Sequence, residues 1–321
     1  GATLKGIQIG GDLILAPGVT KDVTLVDCVI QGNIRNYGTG EVRFEAPQIT
    51  PESTATKPSE VYKPGATLDR TLEYGGKTVP IYRDRPLNVF SDVDFIWTGE
   101  ENENQRRLEY LGGEFRTRYG IDVSSFQGEI DWDAVADDNI DFAMVRVGFR
   151  GTGTGSLNTD KYYEQNIRGA MRAGLETGVY FFAQAVTVEE AIEEAEYVIS
   201  LLDGLDINGP VAYDWEMHDS TYRVYGTSPE MATACAVAFC QRIKDAGYTP
   251  MVYGGTYVTY MKYDQGALAD YLSWYPEYKS EKSEKLCPTL VYHMDYWQFS
   301  STRAVAGING RVDMNIQFIR R

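Results

Sequence analysis

The sequence has little that would bind metals or nucleic acids. Its 321 residues include only two histidines, His218 and His293, and four cysteines, none of which forms a Cys-x-x-Cys pair. A structural zinc site is therefore not expected. Positive charge is also scarce, because 30 Lys and Arg stand against 46 Asp and Glu, a formal net charge of −16. Phosphate binding needs clustered Lys and Arg, so this balance argues against a nucleic-acid partner and against an anionic membrane surface.

Long apolar runs and phosphate-binding motifs are also missing. No apolar run is long enough to cross a bilayer, and we expect no membrane insertion of this chain. The first strand-to-helix loop carries no Gly-x-Gly-x-x-Gly fingerprint, and no Lys-Ser or Lys-Thr pair follows the glycine-rich segment from Gly148 to Gly155. Neither a dinucleotide site nor a phosphate loop is therefore predicted.

Aromatic rings are abundant on an otherwise ordinary apolar background. Hydrophobic residues make up 43% of the chain, enough for a sizeable core. The chain also has 23 Tyr and 5 Trp. Such rings serve in cores, and they also suit sugar-binding clefts, where a flat apolar face meets polar edges.

The first part of the chain predicts a small β-rich module, a linker and a lead-in. Over residues 1–46, short Val, Ile and Leu runs alternate with glycine, and two similar triplets recur 21 residues apart, Gly11-Asp12-Leu13 and Gly32-Asn33-Ile34. The repeat resembles two rungs of a β-solenoid, but stacking normally needs at least three, so only a β-rich module is predicted. Residues 47–66 have the Pro, Ser and Thr content of a linker. Residues 67–117 are expected to form an extended, strand-poor lead-in that packs on the C-terminal part of the chain.

From residue 118 onward, apolar strands alternate with amphipathic helices. Eight strands are predicted, at 119–123, 142–149, 178–182, 211–215, 250–253, 271–275, 292–299 and 311–318. Clear helices are predicted at 132–139, 160–175, 188–202 and 229–246, and they thin out after the strand at 250–253. Repeating βα units favour a parallel sheet. The prediction is an α/β fold over residues 118–321, a TIM-like (β/α) barrel with eight strands and about five helices, whose active site lies at the C-terminal ends of the strands.

Carboxylates lie at this predicted rim. Asp214 and Glu216 close the fourth strand on one face, with Cβ atoms roughly 6–7 Å apart at ~3.3 Å rise per residue. They are either solvated acids at a strand end or an acid pair in which one pKa is raised, as glycosidic bond cleavage requires. Asp122 closes the first strand and Asp313 lies in the last. Because the first and last strands of a closed barrel are neighbours, these two acids are expected to face the same cleft.

The segment from residue 118 to the C-terminus resembles the lysozymes of glycoside hydrolase family 25. Six pieces carry the resemblance, in the family's order over about 200 residues. They are Gly120-Ile121-Asp122-Val123-Ser124-Ser125-Phe126-Gln127-Gly128 with Ile130-Asp131-Trp132, Phe142-Ala143-Met144-Val145-Arg146-Val147-Gly148, Gly178-Val179-Tyr180-Phe181-Phe182, Tyr213-Asp214-Trp215-Glu216, Trp297-Gln298-Phe299-Ser300-Ser301 and Val312-Asp313-Met314-Asn315.

The resemblance implies roles for individual residues. Glu216 matches the general acid of the family, and Asp214 matches its partner carboxylate, which steadies the substrate's acetamido group or the developing positive charge. The remaining matches are expected to bind substrate and line the groove: Asp122, Asp313, Tyr180, Tyr253, Trp274 and Gln298. The family usually has a small aliphatic pair after the tryptophan, whereas this chain has Tyr275-Pro276, which leaves the local sugar contacts open.

The resemblance also implies a function. The chain is expected to be a secreted or cell-surface muramidase that acts on peptidoglycan glycan strands, as a monomer and without a metal or organic cofactor. Two alternatives stay open. An acid pair of this spacing also suits a chitinase-like or endo-N-acetylglucosaminidase activity. A catalytically silent wall-binding module is the alternative of another class, although such a module would not need a proton donor.

Two further residues carry expectations that the structure can test. His218 lies two positions after Glu216, where it is expected to bond to backbone rather than to act as a proton shuttle. Arg146 stands inside an apolar strand and needs a carboxylate partner, for which the rim acids are the expected candidates.

Overall fold

The chain forms two compact units, Gly1–Thr54 and Ala55–Arg321. The computed structural model describes residues 1–5, 8–9, 13–16, 18–26, 29–30, 34–36, 39–45, 56–65, 67–99 and 106–321. Most of the two repeated triplets and the first half of the predicted linker lie outside these residues. No helix within the described ranges combines the length and apolar character needed to cross a membrane.

The described part of the first unit consists of short strands in parallel pairs. The strands are β1 (Ala2–Lys5), β2 (Gln8–Ile9), β3 (Leu13–Leu15), β4 (Val23–Val26), β5 (Val29–Ile30), β6 (Ile34–Asn36) and β7 (Val42–Glu45). β4 lies between β1 and β7, while β2 pairs with β5 and β3 with β6. Ala2 is opposite Val23 and Leu13 is opposite Ile34, so the 21-residue repeat of the sequence is the register of the pairing.

Two hairpins precede the barrel, in the segment expected to be poor in strands. They pair β8 with β9 and β10 with β11, over Leu68–Tyr74, Lys77–Tyr82, Phe95–Thr98 and Arg107–Tyr110. Gly75 and Gly76 turn the first hairpin with φ of 58° and 74°, a left-handed conformation that glycine adopts without steric cost.

The barrel itself has eight strands and few helices, as predicted. Its strands are β12 (Phe115–Val123), β13 (Phe142–Arg150), β15 (Glu176–Ala183), β16 (Val211–Trp215), β17 (Pro250–Tyr253), β18 (Leu272–Pro276), β19 (Tyr296–Arg303) and β20 (Val312–Arg320), with β14 (Leu157–Thr159) added to the edge of β13. The sheet closes because β12 pairs with both β13 and β20. The helices are α1 (Pro58–Val61) before the barrel and, within it, α2 (Trp132–Asp137), α3 (Tyr163–Arg172), α4 (Val188–Leu201), α5 (Pro229–Asp245) and α6 (Thr256–Met261).

The last strand differs from the predicted all-parallel sheet. β20 runs antiparallel to β12 on one side and to β19 on the other. The physical reason is the connection, because only residues 304–311 join β19 to β20 and a parallel return needs a crossover of a dozen residues or more. The first residues of β20 therefore lie at the barrel end where the other strands finish.

Alternating side chains divide the barrel into two apolar layers. Ala212 points into the barrel, where it belongs to a cluster that includes Met144, Met251 and Trp274. The neighbouring Tyr213 and Trp215 belong instead to the larger core under the helices. This period of two brings Asp214 to the inner side at the mouth of the barrel.

Residues 56–65, inside the predicted linker, contact the barrel unit directly. The backbone N–H of Thr56 donates to Glu189 at 2.8 Å, and that of Gly65 donates to Asp264 at 2.9 Å. Val61 and Tyr62 are partly buried against the main core. We therefore propose that the boundary of the catalytic unit lies near residue 55 rather than at 66.

Two truncations test this boundary. Removing residues 1–54 should leave a soluble barrel unit with an unchanged Tm, whereas removing residues 1–66 should lower the Tm. The longer deletion loses two hydrogen bonds, worth roughly 0.5–1.5 kcal/mol each, together with the partly buried Val61 and Tyr62. Thermal unfolding followed by circular dichroism measures both, and equal Tm values for the two truncations would contradict the proposed boundary.

Candidate active site

Four carboxyl groups converge at the mouth of the barrel. Asp122 and Asp313 face each other across the β12–β20 pairing, in direct register. Asp214 is in β16, and Glu216 follows the last residue of that strand. All eight residues proposed from the sequence line one cleft of about 230 Å³: Asp122, Tyr180, Asp214, Glu216, Tyr253, Trp274, Gln298 and Asp313.

Two amide side chains hold Asp122. Its Oδ2 accepts hydrogen bonds from Nε2 of Gln298 at 2.9 Å and from Nδ2 of Asn315 at 2.8 Å. The oxygen atom of each amide accepts hydrogen bonds from aromatic side chains, and these bonds fix the orientation of the amide. The hydroxyls of Tyr253 and Tyr278 donate to Gln298 at 3.2 and 3.1 Å, and the indole of Trp274 donates to Asn315 at 2.7 Å. These contacts fix which amide atom faces the carboxylate.

Asp122 and Asp313 share a proton. Burial raises the pKa of Asp122 to about 6, although the hydrogen bonds from Asn315 and Gln298 oppose that rise. Burial, and then the negative charge of Asp122, raise the pKa of Asp313 to about 8. Near neutral pH the proton therefore resides on Asp313, and Asp122 is the anion of the pair.

Asp214 is the most strongly perturbed acid of the cleft. Burial raises its pKa well above the ordinary range, and the nearby charges of Glu216 and Asp122 raise it further. Its Oδ1 is buried and has no hydrogen-bond partner among the described residues. The positive charge of Arg146 opposes the rise. The carboxyl of Asp214 therefore holds its proton more strongly than an ordinary aspartate does.

Glu216 lies at the mouth of the cleft, and hydrogen bonds hold the backbone around it in place. Nε2 of Gln184 donates to the Glu216 carbonyl oxygen at 2.8 Å, and the indole of Trp215 donates to the carbonyl of Ala185 at 3.1 Å. The Glu216 side chain keeps 24% of its surface exposed. A fixed backbone and an accessible carboxyl suit a group that must meet a substrate.

The contact partners predicted for His218 and Arg146 are wrong. His218 contacts the carboxyl of Glu216, with Nε2 and Oε2 2.6 Å apart, rather than a backbone group. Arg146 donates from Nε to Asp160 at 2.9 Å and contacts Ser125, so its carboxylate partner is none of the four rim acids. Asp160 follows the short strand β14, whose position could not be read from the sequence.

The cleft continues beyond Glu216 into a second hollow of about 450 Å³. The two hollows share Glu216, Tyr253 and Tyr278 in their walls. The second one is completed by His218 and by the start of α6. Together they make an elongated groove with Glu216 at the junction.

Sequence reasoning missed three contributors to this groove. Asn315 lies two residues after Asp313 on the same strand, so the spacing argument used for Asp214 and Glu216 would have found it. Tyr278 lies in a loop, where no periodicity gives its direction, and Gln184 acts through a backbone carbonyl. In the part of the chain that the structure describes, no group of three or more His, Cys, Asp or Glu side chains suits a metal ion.

Known proteins match the barrel part of the chain. The sequence model of the glycosyl hydrolases family 25 matches residues 121–308. The chain is 26% identical over 197 residues to the autolytic lysozyme of Clostridium acetobutylicum, a match that covers 61% of this chain and 54% of that protein. The chain thus spans about half the length of this curated relative.

Two solved structures share the fold. The bacterial lysozyme from Streptomyces coelicolor is 25% identical, with a TM-score of 0.50 over 62% of this chain and 90% of that one. The modular autolysin LytC from Streptococcus pneumoniae, in complex with a synthetic peptidoglycan ligand, is 21% identical, with a TM-score of 0.50 over 77% of this chain and 66% of that one. The resemblance stated from the sequence motifs is confirmed, and the chain belongs to glycosyl hydrolase family 25.

Proposed function

We propose that this chain is a peptidoglycan hydrolase of the lysozyme type, which cleaves the β-1,4 bond between N-acetylmuramic acid and N-acetylglucosamine. The observation that carries the proposal is the position of the Glu216 carboxyl, accessible at the junction of the two hollows and beside the buried Asp214. A proton donor in the middle of a groove is what cleavage within a chain of sugars needs. Membership of family 25 and the likeness to an autolytic lysozyme support the same activity.

In this proposal Glu216 is the general acid and Asp214 orients the substrate. Glu216 gives its proton to the glycosidic oxygen as the bond to the anomeric carbon breaks. The acetamido oxygen of the substrate attacks that carbon, held in place by Asp214, and forms an oxazolinium-like intermediate. Water then opens the intermediate while Glu216 accepts its proton, so the proton balance is restored and the configuration is retained.

The environment of Asp214 supports this division of roles. Asp214 lies two residues before Glu216, at the end of one strand rather than across the cleft, which suits an orienting group better than a nucleophile. Its proton lies next to Glu216, because the two side chains are within hydrogen-bonding reach of each other. Transfer of that proton to Glu216 would protonate the general acid. It would also leave an Asp214 carboxylate that can accept a hydrogen bond from the acetamido N–H.

Exposed aromatic rings along the groove support a sugar substrate. Phe126 lines the first hollow with 85% of its surface exposed, and Tyr278 lies at the junction with 56% exposed. Arg146 lies against the Phe126 ring, 5.2 Å from its centroid, and supports it from one side. A flat ring held at a cleft wall can pack against the apolar face of a sugar.

The partner of the groove is, in this proposal, a peptidoglycan glycan strand. The complex of the Streptococcus pneumoniae autolysin with a synthetic peptidoglycan ligand supports this choice for a shared fold. Such a substrate places the protein outside the cell or at the cell wall, and we propose that it acts there as a monomer.

Replacing Glu216 with Gln tests the acid directly. The amide keeps the size of the side chain but cannot donate an acidic proton, so turnover should fall by about 10²–10⁴-fold with the fold intact. Clearing of a cell-wall suspension measures this, and reducing-end analysis should reveal new muramic acid ends with the unaltered protein. Glu164→Gln on α3, an exposed glutamate of the same kind, is the matched control. A Glu216→Gln protein that keeps more than a tenth of the activity would rule out the role.

Replacing Asp122 should move the alkaline limb of the pH profile. Asp122 is an anion above its pKa of about 6 and repels the charge of an ionised Glu216, so Asp122→Asn should move the limb to lower pH. The measurement is kcat/KM against pH, and an unmoved limb would contradict the electrostatic coupling.

The first product formed decides how Asp214 works. The proposed participation of the acetamido group predicts net retention, so the initial product should be the β-anomer. NMR spectra recorded in the first minutes of digestion distinguish the anomers before mutarotation. An initial α-anomer would mean inversion, with Asp214 as a base that activates water.

A further inference from the structure

A separate cavity of about 360 Å³ lies between the lead-in and the barrel. One wall consists of residues that precede the barrel, among them Tyr62 from the segment 56–65 and Lys77 and Tyr82 from the lead-in. The other wall is the start of α5 and the end of α6. None of the acids of the catalytic groove lines it. The lead-in wall lies outside the stretch matched by the family, which begins at residue 121.

Helix α6 connects this cavity with the catalytic groove. Thr256, Tyr257 and Val258, in its first half, line the second hollow, and residues 259–261, in its second half, line the cavity. Six residues of helix at 1.5 Å each make α6 about 9 Å long. A substituent on a chain held in the groove can therefore reach the cavity if it spans about 9 Å or more.

The cavity presents charges of both signs to a ligand. Lys77 and Glu230 are exposed on opposite walls, and neither side chain forms a hydrogen bond or ion pair within the described ranges. Lys262 lies close enough to Lys77 for the two charges to repel, and its Nζ uses one donor on the carbonyl of Thr227 at 2.6 Å. The Asp264 carboxyl is already occupied by backbone N–H groups. Two ammonium groups and one free carboxylate therefore remain, between walls of tyrosine and proline rings.

We propose that this cavity binds the peptide substituent of the peptidoglycan strand held in the groove. The inference rests on the proposed function. Stem peptides begin on the lactyl group of muramic acid, carry carboxylates and bear an ammonium group on a diamino residue. Lys77 and Lys262 match the carboxylate and Glu230 matches the ammonium. A stem of three to five residues spans about 10–18 Å when extended, which covers the length of α6.

Charge reversal tests the cavity on two substrates that differ only in the peptide. One is a glycan oligomer carrying stem peptides, and the other is the same oligomer after an amidase has removed them. Lys77→Glu and Glu230→Lys should each lower kcat/KM on the first substrate by about tenfold, the size expected for one charged hydrogen bond. On the stripped glycan both variants should stay within about twofold of the unaltered protein. Lys244→Glu, at the opposite end of α5, should change neither value.

Binding to the Glu216→Gln protein gives a readout without turnover. Calorimetry should show tighter binding of a peptide-bearing tetrasaccharide than of the stripped tetrasaccharide, and the added Lys77→Glu change should abolish the difference. Equal loss on both substrates would mean that the two charges do not act through the peptide, and no loss on either would mean that the cavity does not hold the peptide. Either result overturns the inference. Inactivity of the unaltered protein on both substrates would instead overturn the proposed function.

Discussion

The groove depends on the direction of one strand. Because β20 runs against its neighbours, its first residues rather than its last ones lie at the mouth of the barrel. This reversal sets Asp313 opposite Asp122 and brings Asn315 within reach of the same carboxyl. A parallel strand in this position would have carried Asp313 to the far end, away from Glu216. The same strand pairing therefore closes the sheet and brings Asp122 and Asp313 together.

The four acids of the groove differ in how deeply they are buried. Burial is the main cause of the raised pKa of Asp122, Asp214 and Asp313, and the negative charge of Glu216 adds to the rise in each case. Glu216 stands just past the end of its strand, with part of its side chain in solvent. Depth in the barrel therefore distinguishes the three buried acids from Glu216, the acid that we propose exchanges a proton with the substrate.

Local patterns predicted much of this molecule, and contacts between distant segments account for the rest. The bounds of β16 and β17 follow from apolar runs of the right length, and the meeting of Asp122 with Asp313 follows from barrel closure. The reversal of β20 was missed because strand direction depends on loop length and not on strand composition. Tyr278 and the pairing of Arg146 with Asp160 were missed for a related reason, since loop side chains and the short strand β14 carry no periodic signal.

The buried acids of the groove have a thermodynamic consequence for the whole fold. An acid whose pKa is higher in the folded chain than in the unfolded chain favours folding while it is protonated. That contribution is complete below about pH 4 and declines as the pH rises through the folded values, about 6 for Asp122 and about 8 for Asp313. The contribution of these two acids to stability therefore falls across the range in which Asp122 becomes an anion. Replacing these carboxyl groups by amides would remove this pH dependence of stability. The ionised carboxyl groups that the proposed activity uses therefore lower the stability of the fold.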